Sequence, residues 1–490
     1  MNRILFFLIL GLCGSMPSVA AAAEKPLARQ EMPLDSVLGP ILNDSALRGT
    51  EYGVQVVNVN TGEEVFARNA DLALTPASVM KVLTAAVALR ELGAGYRFST
   101  YASSAASAEV TDEGVLEGDL YVQGFGDPTL VTEDLWRLVY DLWLAGIRTI
   151  DGDVIFDDSH FDDNRLIPGW RKDVDMANGP AYFAPLGALS VNFNTVCIVI
   201  GPGPEAGQKA SVLLETPQDV VKIVNEVKTG SRRSRPRFTI ERSVRGRKKV
   251  QLKVSGSVPI GGRPTRFYRS IADPVSQFES IFKGHLEDRS IQVTGEYRAD
   301  EAPDGLSMVA RHESESLPAV LARMNKHSSN FMAEHVLKAV GAEVGEDEGT
   351  TRNGLDVVEA YLVSLGAQAD EFKLVNGSGL SRDALLRPSH VNSVLIDMAL
   401  DRVVGPEFLA SLSIGGVDGT LWTRFRGEGI EGRVRGKTGS LNHVNALAAY
   451  VDGGDGELYA FTFFVNDIPG SNRAVRRLHS RFGRALLDLK

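Results

Sequence analysis

Residues 75–90 read TPASVMKVLTAAVALR, a run in which one lysine stands among small and apolar side chains. Thr75 suits a helix cap and Pro76 the first helical position, so the pattern predicts a helix that opens here. Ser78 then falls in the first turn, where free backbone N–H groups and the helix dipole favour negative charge. Lys81 follows at i+3 on the same face, about 5–6 Å away at Cβ. Val79, Met80, Val82, Leu83 and the alanines make the segment apolar on most sides, which predicts burial. No acidic residue occurs between Asp71 and Glu91, so Lys81 has no counter-ion nearby in sequence. Burial without one pulls an ammonium's pKa down. A neutral lysine beside a serine hydroxyl is a general base beside a nucleophile. Ser-x-x-Lys also arises by chance, and Ser280 with Lys283 in FESIFKGH repeats it. Taken alone, the stretch leaves the catalytic and the incidental readings both open.

A chain of 490 residues has room for roughly three domains. Hydrophobic content of 43% and charged content of 23% are those of a soluble globular protein. The opening MNRILFFLILGLCGSMPSVAAAAE (1–24) has Arg3, an apolar run from Ile4 to Leu12, and Ala-x-Ala options before Glu24. It reads as a secretory signal peptide over 1–23, cut between Ala20 and Ala23, and its apolar run is too short to anchor the chain across a bilayer. A lipoprotein reading at Cys13 meets bulky Leu12 where a small residue is expected. Cleavage removes Cys13 and leaves Cys197 alone, so no internal disulfide is expected, and a long chain can rely on its core instead. No later apolar run reaches the length of a membrane span. The expected product is exported, most simply periplasmic, with no transmembrane anchor. Its net charge of −10 argues against a nucleic-acid partner.

Residues 26–44 predict a helix. YGVQVVNVNTGEEVFARN (52–69) predicts two strands joined at Asn60, Thr61 and Gly62. Near the other end, RVRGKTGSLN (433–442), HVNALAAYVDG (443–453) and ELYAFTFFVND (457–467) predict three strands with short turns. A last helix over 471–489 gathers Val475, Leu478, Phe482, Ala485, Leu486 and Leu489 on one face, with Arg473, Arg476, Arg477, Arg481 and Arg484 largely elsewhere. That face either packs on the last sheet or touches a membrane. Strands from both ends then share one sheet, in a discontinuous domain of 24–98 and 308–490. The inserted region, 99–307, is expected to form two lobes, the outer one near 115–190. Within it strands alternate with helices, among them QDVVKIVNEVK (218–228), read as a helix that ends at Gly230. The basic cluster SRRSRPRFTIERSVRGRKK (231–249) reads as a solvated hairpin or as a contact for an anionic polymer or lipid.

Partners for Ser78 and Lys81 come from two more phrases. KHSSNFMAEHVLKAV (326–340) holds Ser328, Ser329 and Asn330 where one helical pattern, over 317–324, stops and another starts. VRGKTGSLN holds Lys437, Thr438 and Gly439 on a strand. Each pattern has copies elsewhere: Ser-x-Asn at Ser190/Asn192 and Ser440/Asn442, Lys-Thr-Gly at Lys228/Gly230. Only Ser78, Ser328 and Lys437 combine the right order with the right settings. In this the chain resembles the penicillin-recognising serine enzymes, and within them the D-alanyl-D-alanine carboxypeptidase/endopeptidase family of penicillin-binding protein 4. GFGDPTL (124–130), FAPLGALSVNFN (183–194), VNGSGLSRDALLRPSHV (375–391) and GGVDGTL (415–421) add to the likeness, which covers nearly the whole chain after the leader. The family's glycine-serine-glycine phrase usually opens with Asp, where this chain has Asn376.

The resemblance implies an α/β (α+β) fold of the serine β-lactamase/D,D-peptidase type, a helical cluster plus an antiparallel sheet, with a large inserted two-lobe α/β region. It implies a Ser78 acyl-enzyme formed from a D-Ala-D-Ala peptide bond or a β-lactam, with Lys81 as base. Ser328 would relay a proton to the departing amine, and Asn330 would orient Lys81 and the substrate amide. Lys437 and Thr438 would hold the terminal carboxylate, while Gly439 keeps the strand clear for substrate to lie alongside. The backbone N–H groups of Ser78 and Ser440 would bind the oxyanion, each worth about 3–4 kcal/mol in comparable sites. Arg382, Asn442 and Asp175 would line a pocket for the stem peptide's side chain. Asp173 rivals Asp175, because the local spacing departs from the family's pattern, and surface ion pairs are the other reading of Arg382 and Asp175. Peptidoglycan stem peptides and β-lactams are the expected partners, without metal or organic cofactor. A serine β-lactamase is the first alternative, but no extra Glu motif for acyl-enzyme hydrolysis stands out and the insertion is long. The second is a non-catalytic peptidoglycan- or β-lactam-binding protein, against which all three signatures argue. Neither Gly-x-Ser-x-Gly nor His-Glu-x-x-His occurs.

Overall fold

Strands from the two ends of the chain hydrogen-bond into one antiparallel sheet of six. Its order is Ser413–Ile414, Val434–Leu441, Val444–Asp452, Leu458–Asn466, Glu51–Asn58 and Glu64–Arg68. The computed structural model describes residues 34–170, 179–246, 248–345 and 348–487. The expected signal peptide, Asp173, Asp175 and Leu489 lie outside the described residues.

The central strands Val444–Asp452 and Leu458–Asn466 are almost continuously buried, because the sheet is covered on both faces. On one face Val54, Val56, Leu447, Phe461, Phe463 and Val465 meet Val475, Leu478, Phe482 and Leu486 of the helix Arg473–Leu487. Arg473, Arg476, Arg477, Arg481 and Arg484 of that helix are exposed, so its apolar face is taken up by the sheet. On the other face Ala446, Ala448, Tyr450, Ala460 and Phe464 join a second core with the helices Lys81–Leu92, Leu317–His327, Asn330–Gly345, Thr351–Ser364 and Pro388–Leu400. Every residue from Lys81 to Leu89 is buried.

The region between leaves and returns on paired antiparallel strands, Ser99–Ala105 and Leu306–Glu313. These belong to a five-stranded sheet with Leu120–Gly124, Val154–Asp157 and Tyr297–Ala299. The helices Thr132–Leu144 and Pro274–Asp288 bury Leu135, Leu138, Phe278 and Phe282 against it. Two three-stranded sheets share a further core around Ile198, Val227, Leu252 and Val254. The basic cluster forms one of their hairpins, Arg237–Arg245 against Lys249–Pro259.

Three local expectations are corrected. The described part of residues 26–44 is a short helix, Leu34–Leu38, continued as a 3₁₀ turn, Gly39–Asn43, because Pro40 removes a backbone donor and resists helix continuation. The segment read as a helix ending at Gly230 is the strand Val221–Gly230, in parallel pairing with Lys249–Pro259. Its Val221, Ile223, Val224 and Val227 are β-branched, and a neighbouring strand to bury them against outweighed the helical spacing. Thr75 does not cap the nucleophile helix: a 3₁₀ turn, Ala77–Met80, precedes the α-helix Lys81–Leu92. The Thr75 hydroxyl instead donates to Arg382 O at 3.2 Å, and its N–H to Asn466 Oδ1 at 2.8 Å.

Candidate active site

Ser78 stands on the 3₁₀ turn immediately after Ala77, whose φ is +46°. That left-handed conformation costs an L-residue about 1–2 kcal/mol, so neighbours must hold it. Two glycines let them approach. A Cβ on Gly379 would lie 1.9 Å from Ala77 O, and one on Gly439 would lie 2.6 Å from Pro76 O. Gly439 thus serves a nearer purpose than a path for substrate, since it seats the Val434–Leu441 strand on the turn that carries Ser78. The open path comes from sheet topology. Ser413–Ile414 pairs only with Gly436 and Arg435, so among the described residues no strand pairs with the outer edge from Lys437 onward.

Lys81 is fully buried. Its Nζ donates to Ser78 Oγ at 3.0 Å, Asn330 Oδ1 at 2.8 Å and Ser378 O at 2.7 Å. Burial lowers its pKa to about 7, opposed by the charge of Glu334. Lys81 therefore does have a counter-charge, contrary to its sequence surroundings. Glu334 is fully buried as well, and it accepts from Gly377 N at 3.1 Å and Ser378 N at 2.9 Å. Burial pushes its own pKa up. Glu334 follows Asn330 by one turn of the helix Asn330–Gly345, and that i+4 spacing was the available signal for it.

Ser328 ends the helix Leu317–His327 in a left-handed conformation (φ +56°), and Asn330 begins the next helix. The corner turns Ser328 toward Lys437, whose fully buried Nζ donates to Ser328 Oγ and to its own neighbour Thr438 O, both at 2.8 Å. Burial, then the charge of Lys81, holds the Lys437 pKa well below the usual lysine value. Asn330 Nδ2 donates to Tyr182 O at 3.2 Å. Thr438 Oγ1 donates to Thr420 Oγ1 at 2.8 Å, which gives a place to GGVDGTL.

Ser78, Ser328, Asn330, Arg382, Ser440 and Asn442 all line one cleft of about 1190 Å³, with Trp170 and Tyr182 at its wall. Lys81 and Lys437 sit behind it, in the core. Arg382 Nη2 donates to Asn442 O at 2.6 Å, so these two expected pocket residues are joined. Asn376 Nδ2 donates to Pro168 O at 2.7 Å, a bond that an aspartate there would lack. Of the repeated motifs, Ser440 and Asn442 line this cleft, while two others have partners elsewhere. Ser280 Oγ accepts from Asp219 N, Lys283 lies over the Tyr297 ring, and Ser190 Oγ donates to Gly187 O. Among the described residues no cluster of three or more His, Cys, Asp or Glu is arranged to hold a metal ion, and no helix is long and apolar enough to cross a membrane.

The D-Ala-D-Ala carboxypeptidase 3 (S13) family matches residues 34–482, a span that contains all three signatures. The D-alanyl-D-alanine carboxypeptidase of Actinomadura sp. (strain R39) is 34% identical over 472 residues, covering 94% of this chain and 85% of that protein. D-alanyl-D-alanine carboxypeptidase DacB of Haemophilus influenzae is 26% identical over 423 residues, covering 85% of this chain and 86% of that one. The crystal structure of penicillin binding protein 4 (dacB) from Haemophilus influenzae superposes with a TM-score of 0.78 at 25% identity, over 92% of this chain and 98% of that chain. The expected fold, a helical cluster with an antiparallel sheet, is therefore the observed one. The chain belongs to the D-Ala-D-Ala carboxypeptidase 3 (S13) family and is a serine D,D-peptidase of the penicillin-binding protein 4 kind.

Proposed function

We propose that the enzyme cleaves the D-Ala-D-Ala bond of peptidoglycan stem peptides, or the equivalent cross-link, through acylation of Ser78. The observation that carries this reading is the buried Lys81 Nζ, 3.0 Å from Ser78 Oγ and with a pKa lowered to about 7. Near neutral pH such an amine takes the Ser78 proton as Oγ attacks the carbonyl carbon of the penultimate residue. The backbone N–H groups of Ser78 and Ser440 hold the oxyanion. The C–N bond then breaks and the departing amine takes the proton of the Ser328 hydroxyl, which Lys437 replenishes along its 2.8 Å bond. Water then hydrolyses the ester: its oxygen bonds to the acyl carbon, Lys81 returns its proton to the departing Ser78 Oγ, a water proton restores Lys437 through Ser328, and the shortened peptide leaves as a carboxylate, its acid proton passing to solvent.

Lys437 acts here through Ser328, because its buried Nζ is bonded to Ser328 Oγ and Thr438 O, and the substrate carboxylate falls to the Thr438 hydroxyl, which gives up its bond to Thr420 Oγ1. Arg382 and Asn442 line the pocket for the third stem-peptide side chain. A β-lactam presents the same carbonyl to Ser78 and stays attached when its ring opens, in keeping with the name of the Haemophilus influenzae relative. The leader over 1–23 supports a periplasmic location. Incubation with muropeptide monomers and cross-linked dimers, with products identified by mass, tests the reading. Loss of one D-Ala residue, or of the cross-link, is expected. Products cut anywhere else contradict it.

A further inference from the structure

The chain as a whole carries a net charge of −10, yet one end of the Ser78 cleft is basic. Arg382, Arg473, Arg476 and His443 line it, and Asp383 is the one acid among the described lining residues. No carboxylate of the described residues pairs with Arg382, Arg473 or Arg476. In a cleft with low-dielectric walls such charge attracts anions. Lys437 does not supply that charge directly, because its Nζ is fully buried on Ser328 Oγ and Thr438 O.

The basic end is tied to the sheet in part through the Ser440 hydroxyl. Ser440 is exposed and lies two residues after Thr438 on the Val434–Leu441 strand, so the two side chains share a face. Ser440 Oγ accepts from Asn472 Nδ2 at 3.0 Å and from Arg476 Nη2 at 3.3 Å, with Asn445 Nδ2 at 3.5 Å. Asn472 Nδ2 also lies within hydrogen-bonding distance of Leu441 O at 3.0 Å and Val444 O at 2.8 Å, so its two hydrogens are shared among three acceptors. Arg476 follows one turn later, its N–H bonded to Asn472 O at 3.0 Å. A hydroxyl has two lone pairs and one hydrogen. Three nitrogen donors therefore face the two lone pairs of Ser440 Oγ, and no acceptor among the described residues takes its hydrogen, which is left for a ligand in the cleft.

We propose that Asn472 and Arg476 are positioning residues for recognition of the substrate's terminal carboxylate. They turn the Ser440 O–H outward beside the Thr438 hydroxyl, and the Arg476 guanidinium supplies the positive charge. This rests on Ser78 being the acyl acceptor, which places the substrate's last residue beside Thr438.

A pair of thioester substrates tests it, one ending in a free carboxylate and the other in a carboxamide, hydrolysed by wild type, Arg476→Gln, Arg476→Lys and Asn472→Ala. For Arg476→Gln, kcat/KM on the carboxylate substrate should fall by about 10- to 100-fold, chiefly through KM, as for loss of a charge-assisted hydrogen bond. That loss should exceed the loss on the carboxamide by about tenfold, and Arg476→Lys should recover part of it. Asn472→Ala should show the same bias. Added salt should erode the wild-type preference for the carboxylate and leave that of Arg476→Gln little changed. Equal losses on both substrates, or no loss on the carboxylate, would overturn the proposal. If the wild type hydrolyses neither thioester and takes up no penicillin, the Ser78 reading itself fails and this one falls with it.

Discussion

Lys437 Nζ meets Ser328 Oγ at 2.8 Å across the seam between the six-stranded sheet and the helical cluster. In the proposed mechanism this contact makes the second lysine of the site part of the proton path. Lys437→Ala should therefore lower kcat by about 100-fold or more, the usual range for lost acid–base help. The loss should be similar for substrates ending in a carboxylate and in a carboxamide. Steady-state hydrolysis of the pair checks this, and a loss confined to the carboxylate substrate would restore Lys437 to direct carboxylate binding.

The base in this account is the neutral form of Lys81, whose pKa is lowered to about 7. Above that pH the amine is free to accept a proton, and below it the amine is occupied. The rate of acylation by penicillin should rise with pH through about 7 and level off, falling about tenfold per unit on the acid side. Stopped-flow acylation across pH 5 to 9 measures it. A flat profile would mean that another group takes the proton.

Burial sets most of the Lys81 shift and the Glu334 charge opposes it, so Glu334 also bears on where that acid limb lies. In Glu334→Gln the limb should move to lower pH. The variant should also lose about 1–3 kcal/mol of stability, because Gln accepts poorly from both Gly377 N and Ser378 N. The pH profile and thermal melting separate the two effects, and an unmoved limb would remove Glu334 from the control of Lys81.

Gly379 has φ +74°, and a Cβ there would press on Ala77 O. Gly379→Ala should cost about 1–3 kcal/mol, as overpacked sites do, and should slow acylation by shifting the turn under Ser78. A variant that melts and acylates like wild type would show that the turn relaxes freely.

The parts of the site legible in the sequence were those written as short patterns with a local physical meaning. Ser78 and Lys81 lie one turn apart, Ser328 and Asn330 sit at a break between two helical periods, and Lys437 follows strand alternation. The sheet joining both ends of the chain could be read for the same reason, from period-2 patterns near each terminus. Glu334 was missed because its meaning comes from the N–H groups of Gly377 and Ser378, more than forty residues away in sequence. Thr75 misled because its hydroxyl has a tertiary acceptor, Arg382 O, that no capping rule anticipates. The strand Val221–Gly230 misled because its partner, Lys249–Pro259, decides the conformation of a segment whose spacing suits a helix. Arg476 was placed only as lying off the apolar face of the last helix, and only the fold brings it to Ser440.

Covalent labelling followed by peptide mapping bears most directly on Ser78 as the acylated residue. Wild-type protein treated with penicillin should gain one adduct, located on Ser78, and Ser78→Ala should gain none while keeping its melting temperature. An adduct on any other serine, or undiminished labelling of folded Ser78→Ala, would contradict the account.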